Sequence, residues 1–129
     1  MIRRIAIACM ALVAVGLPAL GGCSGASSSR TSINHVVLVT LNDPSQREAL
    51  AGETRAMLAH IPGVEAFSVG TPVDIGRSAV DGAYDVGFVA RFDGREAYEA
   101  CEHDAEHVRL RESWRSRVKQ IRMYDFGGR

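Results

Sequence analysis

The chain has 129 residues, with 15 basic side chains balanced by 15 acidic ones and four histidines. The near-neutral balance argues against nucleic acid as a partner, and a chain of this length holds one domain. Of the three cysteines, Cys9 lies in the leader and Cys23 at the motif that follows it, so Cys101 stands alone and neither an intrachain disulfide framework nor a zinc-ribbon site is expected.

Arg3 and Arg4, an apolar run from Ile5 to Leu20 broken by Gly16 and Pro18, and then Leu20-Gly21-Gly22-Cys23 have the order of a secretory signal peptide. A retained membrane helix is the alternative, but it needs about 20 unbroken apolar residues. Cys23 behind two small residues resembles the lipobox of bacterial lipoproteins, with Gly21 where Ala or Ser is usual. The resemblance implies cleavage before Cys23 and lipid on its sulfur and amine; plain secretion after a nearby cut is the other reading. Of the 129 residues, loss of residues 1–22 leaves 107, with 13 basic and 15 acidic. The expected location is the cell envelope outside the cytoplasm. Ser24 in place of Asp points to the outer membrane under the enteric-type sorting rule.

Residues 23–32 are Ser, Gly, Ala, Arg and Thr around the cysteine, the composition of a flexible tether. The domain is expected over 33–127. His35 to Leu41 is β-branched and apolar on both alternating faces, the pattern of a central strand covered on both sides. Asp43-Pro44-Ser45-Gln46 supplies a cap, a proline and a glutamine three residues on, so a helix starts there. Leu50, Thr54, Met57, Leu58 and Ile61 form its inward stripe, and Pro62-Gly63 ends it. Val64 to Gly70 reads as a second strand and Thr71 to Ala83 as a surface loop. Tyr84 to Phe92 alternates as a third strand. Arg95 to about His103 and Ala105 to Arg117 read as one helix broken near Asp104, and Val118 to Phe126 as the last strand.

The order βαββαβ predicts an α+β fold, a ferredoxin-like sandwich with a four-stranded antiparallel sheet and its helices on one face. A first strand apolar on both sides asks for cover on the open face too, and a second copy of the chain supplies it as a dimeric α/β barrel.

His35-Val36-Val37-Leu38, Ile61-Pro62-Gly63-Val64, Phe67-Ser68-Val69-Gly70, Tyr84-Asp85-Val86, Ala105-Glu106-His107-Val108 and Tyr124-Asp125-Phe126 occur in an order that resembles the stress-responsive dimeric α/β-barrel (Dabb) family. The resemblance spans Ile33 to Phe126 and implies a ferredoxin-like homodimer without implying a single activity. Members include stress-induced plant proteins and a plant polyketide cyclase. In that cyclase the histidine matching His107 is a general base held by the aspartate matching Asp125. The cyclase's tyrosine falls on Cys101 here, and the nearby Tyr98 is expected on a different helix face.

An imidazole oriented by a carboxylate can take a proton near neutral pH, so His107 with Asp125 is the candidate catalytic pair; alternatively the pair only anchors the second helix to the last strand. His35, Val37, Val39, Phe88, Ala90, Ile121 and Met123 match the lining of a pocket for a small apolar or aromatic ligand, or else an ordinary filled core. His103 and His107, at i and i+4, are weighed as metal ligands and set aside, because that spacing is common on helices and His103 is expected at the surface. Cys101, flanked by Glu99 and Glu102, is expected to pack or to bridge to another chain rather than to act as a nucleophile. The run Arg109, Arg111, Arg115, Arg117, Lys119 and Arg122 suits either anionic lipid or a solvated helix face paired with nearby acids. No cofactor is expected. The expected partners are a second copy of the chain, a membrane through Cys23, and the small ligand.

Overall fold

The computed structural model describes residues 31–128; the leader and Cys23 lie outside them. The elements are β1 (Ser32–Leu41), a single 3-10 turn (Pro44–Gln46), α1 (Arg47–Leu58), β2 (Val64–Gly70), β3 (Val86–Phe92), α2 (Gly94–His103), α3 (Ala105–Trp114) and β4 (Val118–Gly128). The strands form one antiparallel sheet in the order β2-β3-β1-β4, the ferredoxin-like arrangement that the element order predicts. No helix among the described residues is long and apolar enough to cross a membrane.

Local chemistry sets the element ends. Asp43 accepts from the Ser45 N–H at 3.0 Å and from its hydroxyl at 2.7 Å, and Gln46 Nε2 donates back to it at 3.3 Å. The expected helix start is thus present, entered through the 3-10 turn before α1. After α1, Gly63 turns the chain at φ +83°, where a Cβ would lie 2.6 Å from that of Ala97, so neither the dihedral nor the space admits a side chain. α3 ends at Trp114 instead of Arg117: the Arg117 N–H donates to the Trp114 carbonyl at 2.9 Å, three residues back instead of four, and the Arg117 carbonyl accepts from the Asn42 N–H at 2.9 Å. β3 begins at Val86 instead of Tyr84. Asp85, just before it, donates its N–H to the Val39 carbonyl and accepts the Leu41 N–H on its carboxylate, both at 2.8 Å, which clasps the end of β1.

The helix-side core divides into two clusters. Val37, Val39, Leu41, Leu50, Ala51, Val86 and Trp114 fill one. Met57, Leu58, Ile61, Ala90, Phe92 and Cys101 fill the other. Phe92 and Val86 are almost wholly sealed, and burying such side chains stabilises by about 1.5–3 kcal/mol each. On the other face Val36, Leu38 and Val89 are half-buried and Tyr124 and Phe126 are 54 % and 56 % exposed. Residues 71–85 carry no regular element, and Arg122 pins them through Asp81 and the Ala83 carbonyl, each at 3.0 Å.

Candidate functional site

The site grows from the register of the two strands that begin and end the domain. β1 and β4 are antiparallel neighbours, and their pairing sets His35 opposite Asp125, Val37 opposite Met123 and Val39 opposite Ile121. Side chains directly opposite across an antiparallel ladder share a face and touch. His35 Nδ1 accordingly meets Asp125 Oδ1 at 2.6 Å, shorter than an ordinary N–H···O bond. The other carboxylate oxygen, Oδ2, accepts from the Tyr98 hydroxyl of α2 at 3.2 Å. Tyr98 also sets its ring edge-on to His35, with centroids 5.3 Å apart, and to Phe92 at 5.4 Å.

The expected pair of His107 and Asp125 is not formed: the carboxylate oxygens accept from His35 and Tyr98, and His107 Nδ1 is bonded to the Cys101 carbonyl. Tyr98 is not on a different helix face either. It stands three residues before Cys101, and residues at i and i+3 are neighbours on a helix surface. Both side chains turn toward the sheet, and Cys101 and Tyr98 pack in the same core cluster.

His107 is held by the main chain instead. The helix breaks at Asp104, whose extended backbone and carboxylate cap α3 by accepting from the Glu106 and His107 N–H groups at 2.8 and 3.4 Å. Next to the break, the Cys101 carbonyl accepts from the Asp104 N–H at 3.1 Å and from His107 Nδ1 at 2.9 Å. A carbonyl can only accept, so the neutral His107 ring carries its proton on Nδ1 and offers the Nε2 lone pair.

Both imidazoles open onto one cavity of about 270 Å³ between the sheet and α1 and α3. Of the expected lining, His35, Val37, Val39, Phe88, Ile121 and Met123 border it. Ala90 does not: it is fully sealed in the cluster with Phe92. The sequence reading missed Leu50, Thr54, Leu110 and Trp114 in the wall and Glu102, Arg111 and Arg115 at the rim. The inward stripe of α1, which holds Leu50 and Thr54, was the available signal for that wall. Trp114 is fixed by its Nε1–H donating to Glu53 at 2.7 Å and by the Arg117 guanidinium 3.7 Å over its ring. The rim cations are paired, Arg111 with Glu102 at 3.6 Å and Arg115 with Glu112 at 3.5 Å. With Arg109 bonded to Glu106 and Arg122 to Asp81, the basic run is largely a solvated, acid-paired face. A second, more open groove of about 700 Å³ lies between α1 and α3, bordered by His60, Glu53 and the Glu106–Arg109 pair and not by His35, His107 or Asp125.

Protonation divides the remaining polar groups. Burial, followed by the Asp125 charge, pushes the Tyr98 hydroxyl up to about 12, so it donates to Asp125 and does not ionise near neutral pH. Burial, followed by the Glu102 and Asp104 charges, pushes the Cys101 thiol up to about 11. As a buried, free thiol it lacks the ionisation and exposure a nucleophile needs. His103 is exposed, and among the described residues no cluster of three or more His, Cys, Asp or Glu side chains is placed to hold a metal ion.

A four-stranded antiparallel sheet in this order, backed on one side by helices that enclose a cavity, defines a ferredoxin-like α+β protein. The particular family follows from the sequence match: residues 33–127 fit the family model of the Stress responsive A/B Barrel Domain, Dabb, and the chain belongs to that family. Solved structures agree on the fold. A dimeric ferredoxin-like protein of unknown function from Thermobifida fusca is 24 % identical with a TM-score of 0.64, covering 77 % of this chain and 92 % of its own. A Dabb family protein from Mesorhizobium loti is 22 % identical with a TM-score of 0.62, covering 75 % and 96 %. SnoaB, a cofactor-independent oxygenase from Streptomyces nogalater, is 14 % identical with a TM-score of 0.59, covering 77 % and 94 %. No curated protein matches the chain.

Proposed function

We propose that this is a lipid-anchored Dabb protein of the cell envelope that works as a homodimer and holds a small apolar or aromatic ligand. The observation that carries the ligand reading is the cavity of about 270 Å³, walled by Val37, Val39, Phe88 and Trp114 and bordered by His35 and His107. Ligand sites are mostly apolar concavities with a few placed polar groups, and this one has the size for a molecule of one or two rings. Its outer wall is the edge strand β4, where Ile121 and Met123 are 46 % and 61 % exposed. The dimer is supported by the apolar open face and by the Thermobifida fusca neighbour, described as dimeric. The anchor is supported by Leu20-Gly21-Gly22-Cys23.

Trp114 is the chain's single tryptophan and stands in the cavity wall, so its fluorescence reports occupancy. A library of small aromatic and apolar compounds should contain molecules that shift Trp114 emission saturably in the wild type and not in His107→Ala with an unchanged Tm. A wild type that no compound shifts defeats the ligand reading. Light scattering at micromolar concentration should give twice the chain mass, and a monomer defeats the dimer. Cys23→Ser should abolish lipid labelling and release the protein from membranes; persistent labelling excludes that anchor.

A second reading is proton abstraction from a β-keto or polyketide-like substrate, as in a cyclase. The specific observation in its favour is the bond from His107 Nδ1 to the Cys101 carbonyl, which leaves Nε2 as an acceptor at the cavity. The histidine–aspartate dyad available to such chemistry is His35 with Asp125, and His107 acts beside it. Turnover of a β-keto thioester by the wild type, lost in a folded His107→Ala protein, separates this reading from ligand binding alone.

A further inference from the structure

We propose that Tyr98 and Asp125 act as positioning residues that hold His35 with its proton on Nδ1, so that the cavity presents two imidazole acceptors, the Nε2 atoms of His35 and His107, and selects ligands that bring hydrogen-bond donors to an apolar body. The proposal rests on the ligand-binding reading of the cavity and states its chemistry.

The inference starts from what each group can do. Asp125 accepts on both oxygens, from His35 Nδ1 at 2.6 Å and from the Tyr98 hydroxyl at 3.2 Å. An ionised carboxylate has no proton to give, so the His35 proton sits on Nδ1. Tyr98 remains a hydroxyl donor, because its ionisation is pushed up to about 12. It restrains the second oxygen of a carboxylate that is 47 % exposed. His35 itself is only 8 % exposed and borders the cavity, and its one hydrogen bond is through Nδ1. Nε2 is then the nitrogen that an occupant meets.

His107 reaches the same state by a different route, its Nδ1 bound to the Cys101 carbonyl at 2.9 Å. The rim adds no unpaired cation: Arg111 faces Glu102 and Arg115 faces Glu112. The site therefore offers acceptors to a neutral ligand bearing hydroxyl or N–H groups. A carboxylate or phosphate finds no unpaired arginine at the rim. A donor that meets a placed buried acceptor is discriminated strongly from an analogue lacking it, because the mismatch leaves the site's polar atom unpaired.

The deciding measurement needs no ligand. Long-range nitrogen–proton NMR of the purified protein at about pH 8, where free imidazole is neutral, assigns the protonated nitrogen of each ring. Both His35 and His107 are expected to carry the proton on Nδ1. Tyr98→Phe, which keeps the ring and removes the hydroxyl, should transfer a measurable part of the His35 population to Nε2–H and leave His107 unchanged. Asp125→Asn is the second variant: its amide can donate, and it should flip His35 to Nε2–H in most molecules. A wild-type His35 protonated on Nε2, or a His35 ring unmoved in both variants, overturns the proposal.

Binding then tests selection with a matched pair, a phenol and its methyl ether, followed by Trp114 fluorescence. The phenol should bind about tenfold more tightly to the wild type, with the ratio falling toward one in Asp125→Asn. Equal affinities in the wild type overturn selection for donors. If neither probe binds, the ligand-binding reading fails, while the tautomer spectra still decide the arrangement of His35.

Discussion

Replacing Cys101 by alanine probes the packing of α2 and the protonation of a buried thiol in a single series. Cys101 is 6 % exposed, among Met57, Leu58, Ile61, Ala90 and Phe92. Removing its sulfur forfeits transfer free energy comparable with a methylene, about 0.8 kcal/mol, and leaves a small void, for a loss of about 1–2 kcal/mol near neutral pH. The alkaline behaviour is more diagnostic. Burial first, then Glu102 and Asp104, raise the thiol from 9.0 to about 11. A folded state that keeps its proton longer than the unfolded chain is destabilised as pH rises, so this contribution is whole below about pH 9 and is lost as pH climbs toward 11. A displacement of that size corresponds to at most about 2.7 kcal/mol, and solvent screening in so small a domain reduces this to the order of 1 kcal/mol. Urea unfolding of the wild type and Cys101→Ala at about pH 8 and about pH 10.5 measures the gap between them. Tyr98, raised to about 12, is present in both proteins. The gap should narrow by about 1 kcal/mol at the higher pH; a gap that stays constant would refute the assignment of Cys101 as a buried, hard-to-ionise thiol.

Gly63→Ala should lower stability by about 2 kcal/mol or more, seen as a fall in Tm on the order of 10 °C, since both the +83° dihedral and the 2.6 Å approach to Ala97 oppose a side chain. Asp104→Ala removes the cap of α3 and should cost about 1 kcal/mol in chemical unfolding, most of it restored by Asp104→Ser. Asp85→Ala leaves the Leu41 N–H without its acceptor and should cost about 2 kcal/mol, with Asp85→Asn recovering a large part; equal losses in both variants would place the effect in packing instead of the hydrogen bond.

The fold was legible because its signals are periodic. The both-sided apolar pattern of β1 announces a central strand, and it lies between β3 and β4. Asp104 as a break point also follows from local chemistry, since a short acidic side chain competes for the next N–H groups. The partner of Asp125 was harder to read, because it is settled by a register between the two ends of the domain and not by any local pattern. With β1 and β4 taken as neighbours, counting inward positions along His35, Val37, Val39 and along Asp125, Met123, Ile121 brings His35 and Asp125 together. The motif comparison pointed to His107 instead, where a carbonyl does the work of a carboxylate. Ala90 was misassigned for a related reason: it shares the cavity face of the sheet, but Phe92, Met57 and Cys101 close over it.

The interruption between α2 and α3 also bears on how freely position 101 can change. What holds His107 is the peptide carbonyl of that residue, and every amino acid supplies the same oxygen at that point. An unbroken helix would have spent this oxygen on the N–H of residue 105; the break at Asp104 releases it to the imidazole. The side chain at 101 is thus uncoupled from the orientation of the ring six residues later. A different side chain at 101 would alter what packs beneath α2 and leave the bond from the residue 101 carbonyl to His107 in place, so a chain of this design can exchange its helix packing without moving that imidazole.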